Sequence, residues 1–177
     1  MTKPPDIGIR PAGPGDTAAL GRLGALLVAV HHGFDADRFV APGPGTERGY
    51  GRFLASQLNR TDAIVLVAED HGGEVLGYAY AALEGADWMA LRGPAGVIHD
   101  IIVEPGRRRE GVASALLHAM FEALAARGAP RVLLSTATKN AAAQRLFAAA
   151  GFRSTMIEMT REWPEPPSGA ARNGGSS

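Results

Sequence analysis

A basic, glycine-containing turn between an apolar strand and an apolar helix constrains this chain more than any other stretch. The residues before the turn, 97–103, are β-branched and mostly apolar, which predicts a buried strand. The residues after it repeat apolar side chains at helical spacing from Val112 to Leu124. A strand that enters a helix through such a turn directs free backbone N–H groups and the positive helix end at one point. The pattern therefore predicts a phosphate site.

The residue types within the turn suit that site. Arg107, Arg108 and Arg109 supply positive charge, and Gly111 lets the backbone approach a ligand with no Cβ in the way. Neither common nucleotide loop is present, since the chain has no Gly-x-x-x-x-Gly-Lys-Ser/Thr and no Gly-x-Gly-x-x-Gly. A basic turn before a helix is also often only a solvated helix start, so the turn alone leaves that alternative open.

A second motif follows about thirty residues later and makes the turn more specific. The turn contains Arg108-Arg-Glu-Gly-Val-Ala113, and the later stretch is Asn140-Ala-Ala-Ala-Gln-Arg-Leu-Phe-Ala-Ala-Ala-Gly-Phe152. They resemble two signatures of the GNAT superfamily of N-acetyltransferases, Arg/Gln-x-x-Gly-x-Gly/Ala and Asn-x-x-Ala-x-x-Leu-Tyr-x-x-x-Gly-Phe. The resemblance covers about residues 7–161 and is sharpest over residues 97–152.

This resemblance implies an α/β fold of three layers. A central mixed, mostly antiparallel sheet of about six to seven strands would be flanked by about four helices, with the fourth and fifth strands splayed apart. Residues 1–162 would form the domain, and residues 163–177 would form a disordered tail because their composition cannot bury much surface. Strands are expected at residues 7–10, 63–69, 75–83, 97–103, 131–136 and 152–161.

The resemblance also implies acetyl transfer from acetyl-CoA to a primary amine by direct attack on the thioester. The amides of the turn would grip the pyrophosphate, and the pantetheine arm would pair with the freed edge of the central strand. Asn140 would touch that arm, or cap its helix, or do both. The cofactor-binding residues implied are Ile101, Ile102, Val103, Arg108, Arg109, Glu110, Gly111, Val112, Ala113, Ser114, Asn140 and Phe147.

The acceptor amine has to lose a proton before it attacks. An amine with a pKa of about 10.4 is deprotonated only about once in two or three thousand molecules at pH 7. His99 and Asp100 lie on the central strand, where the family often carries residues that activate the amine. Successive strand residues face opposite sides, so we expect only one of them to face the acceptor. A buried, hydrogen-bonded structural role is the alternative for each.

Phe147 is a departure from the family pattern. It occupies the position of the tyrosine that usually protonates the departing thiolate, and phenylalanine has no proton to give. A thiol pKa near 8.5 lets the thiolate leave tolerably well unaided, and Ser135, Thr136 or water are substitutes for the donor. The departure supports a second hypothesis, an acyl-CoA-binding module without turnover. A nucleotide-binding or kinase-like protein is disfavoured, since the chain lacks the P-loop lysine and a convincing metal site.

Acceptor-binding residues are expected at the end of the first helix and in the loop between the third and fourth strands. Histidines in a last helical turn also complement the helix dipole, and loop acids are commonly solvated, so both alternatives remain open. The candidates are His31, His32, Glu84, Asp87 and Trp88.

The composition excludes several other classes of protein. With 177 residues, 46% of them hydrophobic, the chain suits one sizeable core. It has 18 lysines plus arginines and 18 acids, which argues against bulk nucleic-acid binding or an electrostatic membrane surface. The absence of cysteine excludes a disulfide, a thiolate nucleophile and a cysteine metal site. We expect a cytoplasmic domain acting on a small-molecule amine or on a protein lysine or N-terminus. Dimers are frequent in the family, so a homodimer is compatible.

Overall fold

The computed structural model describes residues 7–163. Its regular elements are β1 Gly8–Pro11, α1 Thr17–Phe34, α2 Thr46–Gln57, β2 Ala63–Glu69, β3 Val75–Glu84, β4 Ala95–Val103, α3 Val112–Ala126, β5 Val132–Leu134 and α4 Ala141–Ala149. Short 3₁₀ turns precede α1 at Pro14–Asp16 and follow β4 at Pro105–Arg107. In this described part of the chain, no helix combines the length and apolar character needed to cross a bilayer.

The sheet has the mixed, mostly antiparallel topology that the resemblance predicts. Its strand order is β1-β2-β3-β4-β5, with antiparallel pairing up to β4 and parallel pairing between β4 and β5. The pairing of β4 with β5 covers only residues 96–98 against residues 132–134. Within residues 7–163, residues 99–103 of β4 therefore have no strand beside them on the β5 side, which confirms the predicted splay.

Helices cover both faces of the sheet, which confirms the three layers. Alternate residues of β2 point to opposite faces, so Ile64 and Leu66 join a core under α3 and α4, whereas Val65 and Val67 join a core under α1 and α2. Both faces of β2 can be buried because its residues 63–68 are all apolar, and only Glu69 at its end is charged. The sheet, with β4 in it, therefore lies between the α1–α2 pair and the α3–α4 pair.

Close approach of α1 and α2 depends on glycine. A Cβ placed on Gly24 would overlap the ring of Tyr50, so glycine at this position lets the tyrosine ring lie directly against the α1 backbone. Tyr50 reaches the sheet from there, because its hydroxyl donates to a carboxylate on β4 at 2.8 Å. The packing of two helices thus positions a polar group over the centre of the sheet.

The predicted closing strand over residues 152–161 is wrong. Residues 152–163 have no regular secondary structure, and large side chains such as Met156 and Met159 are exposed. The sheet therefore has five strands among residues 7–163, fewer than the six to seven expected. A strand needs an edge to pair with, and this segment is instead held by an ion pair between Arg38 and Glu158. The predicted tail at residues 163–177 lies outside the described residues, apart from the exposed Trp163.

Candidate active site

The turn before α3 is fixed from behind by ion pairs. Arg107 Nε donates to Glu110 Oε2 at 2.9 Å, and Arg107 Nη1 lies 3.5 Å from Asp70 Oδ2 in the connection between β2 and β3. Both partners raise the pKa of Arg107, the Glu110 hydrogen bond most. Because the Glu110 carboxylate is engaged in this way, we assign only its backbone to a ligand. Arg107 stabilises the turn, and these ion pairs leave Arg108 and Arg109 available to a ligand.

The front of the turn presents backbone rather than side chains. Arg109 and Gly111 both have positive φ, 67° and 86°, and a Cβ on Gly111 would meet no atom within 4 Å. Gly111 starts α3 with no side-chain cap, so the first amides of the helix, through Ser114, have no partner within the helix. Val112 contributes only backbone, since its side chain is buried. An open helix start of this kind fits an anionic group.

Two arginines add charge at the same place. Arg108 and Arg109 are exposed, and neither side chain makes an ion pair or hydrogen bond with the other described residues. Their guanidinium groups are therefore available to a phosphate.

A cleft opens where β4 and β5 separate. It is lined by Leu27 and His31 of α1, Ile98, His99 and Ile101 of β4, Leu134, Ser135 and Thr136 at the end of β5, and Asn140, Ala143 and Phe147 around α4. Of the three predicted anchor residues, Ile101 lines the cleft, while Ile102 and Val103 have buried side chains on opposite faces of the sheet. Their backbone groups on the unpaired side of β4 remain available to an extended ligand.

The α4 residues of the cleft are structurally well supported. Asn140 caps α4, because its Oδ1 accepts from the Ala143 amide at 3.2 Å. Phe147 is only 6% exposed and packs edge-to-face against Phe152, with ring centroids 5.9 Å apart. The Phe147 ring gives the cleft an apolar wall and no proton donor.

A β-bulge changes how His99 and Asp100 are presented. Tyr80 pairs with Asp100 and Ala81 pairs with Ile98, which leaves His99 as an extra residue. The His99 ring stacks on Tyr80 at 5.2 Å, and Asp100 accepts hydrogen bonds from tyrosines of the same side. Strict alternation is therefore lost at this point. The two residues still differ, since exposed His99 lines the cleft and Asp100 lies buried.

Asp100 is the centre of a buried polar cluster. Its Oδ2 accepts from Tyr50 at 2.8 Å and from Tyr78 at 2.9 Å. Burial raises the pKa of the Asp100 carboxyl, while the two tyrosines and the nearby His99 and His31 act in the opposite direction. Burial and the Asp100 charge also raise the pKa of both tyrosines. This arrangement corresponds to the structural alternative for Asp100.

The two helix-end histidines have different positions. Each lies in the last turn of α1 and donates from Nδ1 to a carbonyl, His31 to Leu27 at 2.9 Å and His32 to Phe39 at 3.0 Å. Only His31 is among the residues around the cleft. Because its Nδ1 donates, a neutral His31 ring carries its lone pair on Nε2. His32 instead ties α1 to the connection that follows it.

The two acids predicted to bind the acceptor both have partners within the protein. Glu84 Oε1 lies 2.9 Å from His99 Nε2, and Glu84 Oε2 pairs with Arg92. The Asp87 carboxylate accepts from the amides of residues 89 and 90, which lowers its pKa. Trp88 is 82% exposed, and neither Trp88 nor Asp87 is part of the cleft wall.

Four polar residues of the site were not predicted as site residues. Tyr78 and Tyr80 were correctly placed on one sheet face, but their contacts with Asp100 and His99 require the register of β3 against β4. No local sequence pattern marks Tyr50 or Arg92 as a site residue. The partner of Tyr50, Asp100, lies far away in the sequence, and the partner of Arg92, Glu84, lies across a loop.

The comparison with protein families agrees with this geometry. The model of the acetyltransferase (GNAT) family matches residues 29–152. The chain belongs to this family. Among curated proteins, it is 32% identical over 97 residues to a mycothiol acetyltransferase of Clavibacter michiganensis, and the match covers 55% of this chain and 29% of that protein. It is 35% identical over 89 residues to an L-methionine sulfoximine/L-methionine sulfone acetyltransferase of Pseudomonas aeruginosa, with 50% and 49% covered.

Solved structures show the same fold. A mutant protein of Bacillus halodurans superposes with a TM-score of 0.76 at 18% identity, covering 89% of this chain and 99% of that one. A predicted acetyltransferase of Clostridium acetobutylicum with acetyl-CoA gives 0.66 at 17% identity, with 87% and 96% covered. Glucosamine-6-phosphate N-acetyltransferase of Arabidopsis thaliana gives 0.65 at 17% identity, with 89% and 99% covered. The matches to the two curated relatives span half of their length or less.

Proposed function

We propose that this GNAT domain transfers an acetyl group from acetyl-CoA to a primary amine of an acceptor. The observation that carries the proposal is the conjunction of two features on β4. The strand ends in the open, amide-presenting turn at Gly111, and its unpaired edge borders a cleft that contains an imidazole. Family membership makes acetyl-CoA the expected donor.

The residues present fit that donor. Acetyl-CoA, when bound, supplies an acetyl group activated as a thioester. The amides that follow Gly111 hold an anionic pyrophosphate together with Arg108 and Arg109, and the edge at Ile101 offers backbone groups to an extended arm. Binding to these amides requires no rearrangement of the backbone, because the helix start already directs them outward.

Proton transfer is assigned to cleft residues. His99 is the candidate base, since it lines the cleft and an imidazole titrates near neutral pH, whereas Asp100 is buried and committed to two tyrosines. Ser135 and Thr136 line the same cleft and are the candidate donors to the departing thiolate. Their hydroxyls would take over the task that Phe147 cannot perform.

The acceptor is proposed to be a small amine. The names of the curated relatives make L-methionine sulfone and L-methionine sulfoximine the first compounds to try. A protein lysine or N-terminus is the second class of acceptor. A homodimer and a cytoplasmic location are predictions of the same proposal.

Calorimetry with acetyl-CoA tests the donor site, and thiol release from the same sample tests turnover. The amine panel contains L-methionine sulfone, L-methionine sulfoximine, spermidine, glucosamine 6-phosphate and a lysine peptide. Binding of acetyl-CoA followed by release with any of these amines is the expected result. Absence of acetyl-CoA binding would contradict the whole proposal.

An acyl-CoA-binding module without turnover is the second candidate, and Phe147 is the observation that favours it. The Phe147→Tyr variant separates the two functions. In a module that has stopped catalysing, the new hydroxyl in the cleft would produce thiol release that the wild-type domain lacks. In an active enzyme, wild type already releases thiol and the variant changes its rate only moderately.

A further inference from the structure

We propose that Glu84 is a positioning residue, which holds His99 as the base for the acceptor amine and does not bind the acceptor itself. This inference rests on the proposed function and refines the use of its cleft. Its basis is the contact between Glu84 Oε1 and His99 Nε2, 2.9 Å long, at the point where the β-bulge exposes the histidine.

The contact determines which nitrogen of His99 is basic. At this distance a lone pair on Nε2 would be repelled by the lone pairs of the carboxylate oxygen, so the favoured neutral tautomer carries its proton on Nε2. The lone pair of the neutral ring is then on Nδ1. Among the described residues Nδ1 has no hydrogen-bond partner, and His99 lines the cleft. The stack on Tyr80, with the rings inclined by 28°, limits rotation of the imidazole.

The Glu84 carboxylate has little capacity left for a substrate. Its second oxygen pairs with Arg92, whose guanidinium also lies 3.8 Å from the Asp87 carboxylate. Reciprocal backbone hydrogen bonds of 2.9 and 3.0 Å between Asp87 and Arg92 close this loop. Arg92 is therefore anchored at its backbone and by charge, and it fixes Glu84 in turn. A cationic amine would have to displace Arg92 or His99 to reach Glu84.

Two acidic groups lie near the His99 ring. Glu84 contacts the ring directly, and the Asp100 carboxyl interacts with it through space. The opposing charge of Arg92 lies beyond Glu84, and the tyrosine hydroxyls of residues 50, 78 and 80 are neutral. His31 is the other titratable group at the cleft. The Glu84 carboxylate therefore orients the ring from its Nε2 side and leaves Nδ1 to take the proton, as in other carboxylate–histidine pairs.

The proposed step is balanced as follows. Nδ1 of His99 takes one proton from the ammonium group of the acceptor, and the nitrogen lone pair that this frees forms a bond to the acetyl carbon. The nitrogen releases a second proton as the amide forms. The carbon–sulfur bond then breaks, and the sulfur leaves with the electron pair and takes up a proton. The imidazolium returns its proton to solvent. Glu84 remains ionised throughout and touches no reacting atom.

The tautomer of His99 is measured first, by ¹⁵N NMR of the ligand-free protein with His99→Gln as the assignment control. We expect the neutral ring to carry its proton on Nε2, and the Glu84→Gln variant to show a larger share of the Nδ1–H tautomer because the carboxylate is gone. A neutral ring protonated on Nδ1 would overturn the proposal, whether or not an acceptor has been found.

Kinetics of Glu84→Gln give the second readout, with the panel amine that releases thiol. Glutamine keeps an oxygen that accepts from Nε2, so the fold is retained while the charge is lost. We expect kcat to fall at least about tenfold. The acceptor KM should change little. A rise in acceptor KM with kcat unchanged would show that Glu84 binds the substrate.

Glu122→Gln, on the exposed outer face of α3, is the control for removing one carboxylate elsewhere. It should match wild type in both kinetic constants. Failure of the function proposal is visible separately, since it removes acetyl-CoA binding or thiol release in the wild-type protein, whereas failure of the Glu84 assignment leaves both intact.

Discussion

The turn before α3 and the wall around His99 are built by different means. The turn is formed by consecutive residues, and it presents backbone amides beside two left-handed conformations, at Arg109 and Gly111. The wall combines side chains from separate elements, with Tyr50 on α2, Glu84 on β3 and His99 on β4. A backbone site is local in sequence, whereas a side-chain site depends on register and packing. Substitutions should therefore affect the two regions differently.

The largest effect is expected from Gly111→Asp, which attacks the backbone site directly. Aspartate at a φ of 86° is strained. Its carboxylate would also place a negative charge in the open space where we propose that the pyrophosphate binds. We expect acetyl-CoA affinity to fall about 100-fold or more, roughly 2.8 kcal/mol, in calorimetry.

Gly128→Asp is the matched control for this variant. Gly128 follows the other end of α3, also has a positive φ of 78°, and has open space at its Cβ position. It should show similar loss of thermal stability and unchanged affinity for acetyl-CoA. Equal affinity losses in the two variants would mean that the turn is not the phosphate site.

The second prediction concerns the pH dependence of two equally buried carboxyls, Asp100 in the wall and Asp16 before α1, at 8% and 9% exposure. Burial raises the pKa of Asp100 above its ordinary 3.8. As the pH rises, the Asp100 carboxyl therefore loses its proton in the unfolded chain before it does in the folded protein. The contribution of Asp100 to the unfolding free energy falls as the pH rises above about 3.8. The hydrogen bonds from Arg10 lower the pKa of Asp16, so its contribution is present above 3.8 and is lost as pH falls below it.

Urea unfolding of Asp100→Asn and Asp16→Asn across pH 3 to 7 tests these opposite signs. Relative to wild type, Asp16→Asn should lose about 1.5–3 kcal/mol at pH 7 and progressively less toward low pH. Asp100→Asn should improve relative to wild type as the pH rises. A flat difference for Asp100→Asn would show that its carboxyl is solvated in the folded protein.

The third prediction compares two tyrosine hydroxyls of the wall. Tyr50 donates to the Asp100 carboxylate at 2.8 Å, whereas Tyr80 donates to the neutral Gln57 side chain at 3.2 Å. Hydrogen bonds to charged acceptors are stronger, so Tyr50→Phe should cost about 1.5–3 kcal/mol and Tyr80→Phe about 0.5–1.5 kcal/mol at pH 7. Urea unfolding measures both. Equal costs would argue against an ionised Asp100 in the folded domain.

The smallest effect is expected from Arg109→Gly. Removing this exposed side chain loses one positive charge but relieves a left-handed conformation, at φ 67°. Acetyl-CoA affinity should fall only a few-fold, with the loss disappearing at high salt, and the unfolding free energy should change by less than about 1 kcal/mol. Arg108→Gly loses the same charge from an extended residue, at φ −72°, and should be the less stable of the two. The reverse order of stability would contradict the strain assigned to Arg109.

The predictions from sequence succeeded where neighbours along the chain carry the information. The turn, the start of α3 at Val112 and the Asn140 cap are all local features, and each lies where the pattern placed it. The strand at residues 152–161 failed for the opposite reason. The family resemblance implied a strand there, but the segment pairs with no sheet edge among the described residues and is exposed.

By itself the sequence determined the family, most of the order of elements and the glycine turn that begins α3, because helix periodicity, glycine conformation and short motifs act over a few residues. Only the tertiary structure decided which side chains meet at the cleft. The bulge at His99 follows from the register of β3 against β4, and it brings His99 within 2.9 Å of Glu84, fifteen residues earlier. No pattern along one strand specifies the register of its neighbour, so this pair became visible only in the folded chain.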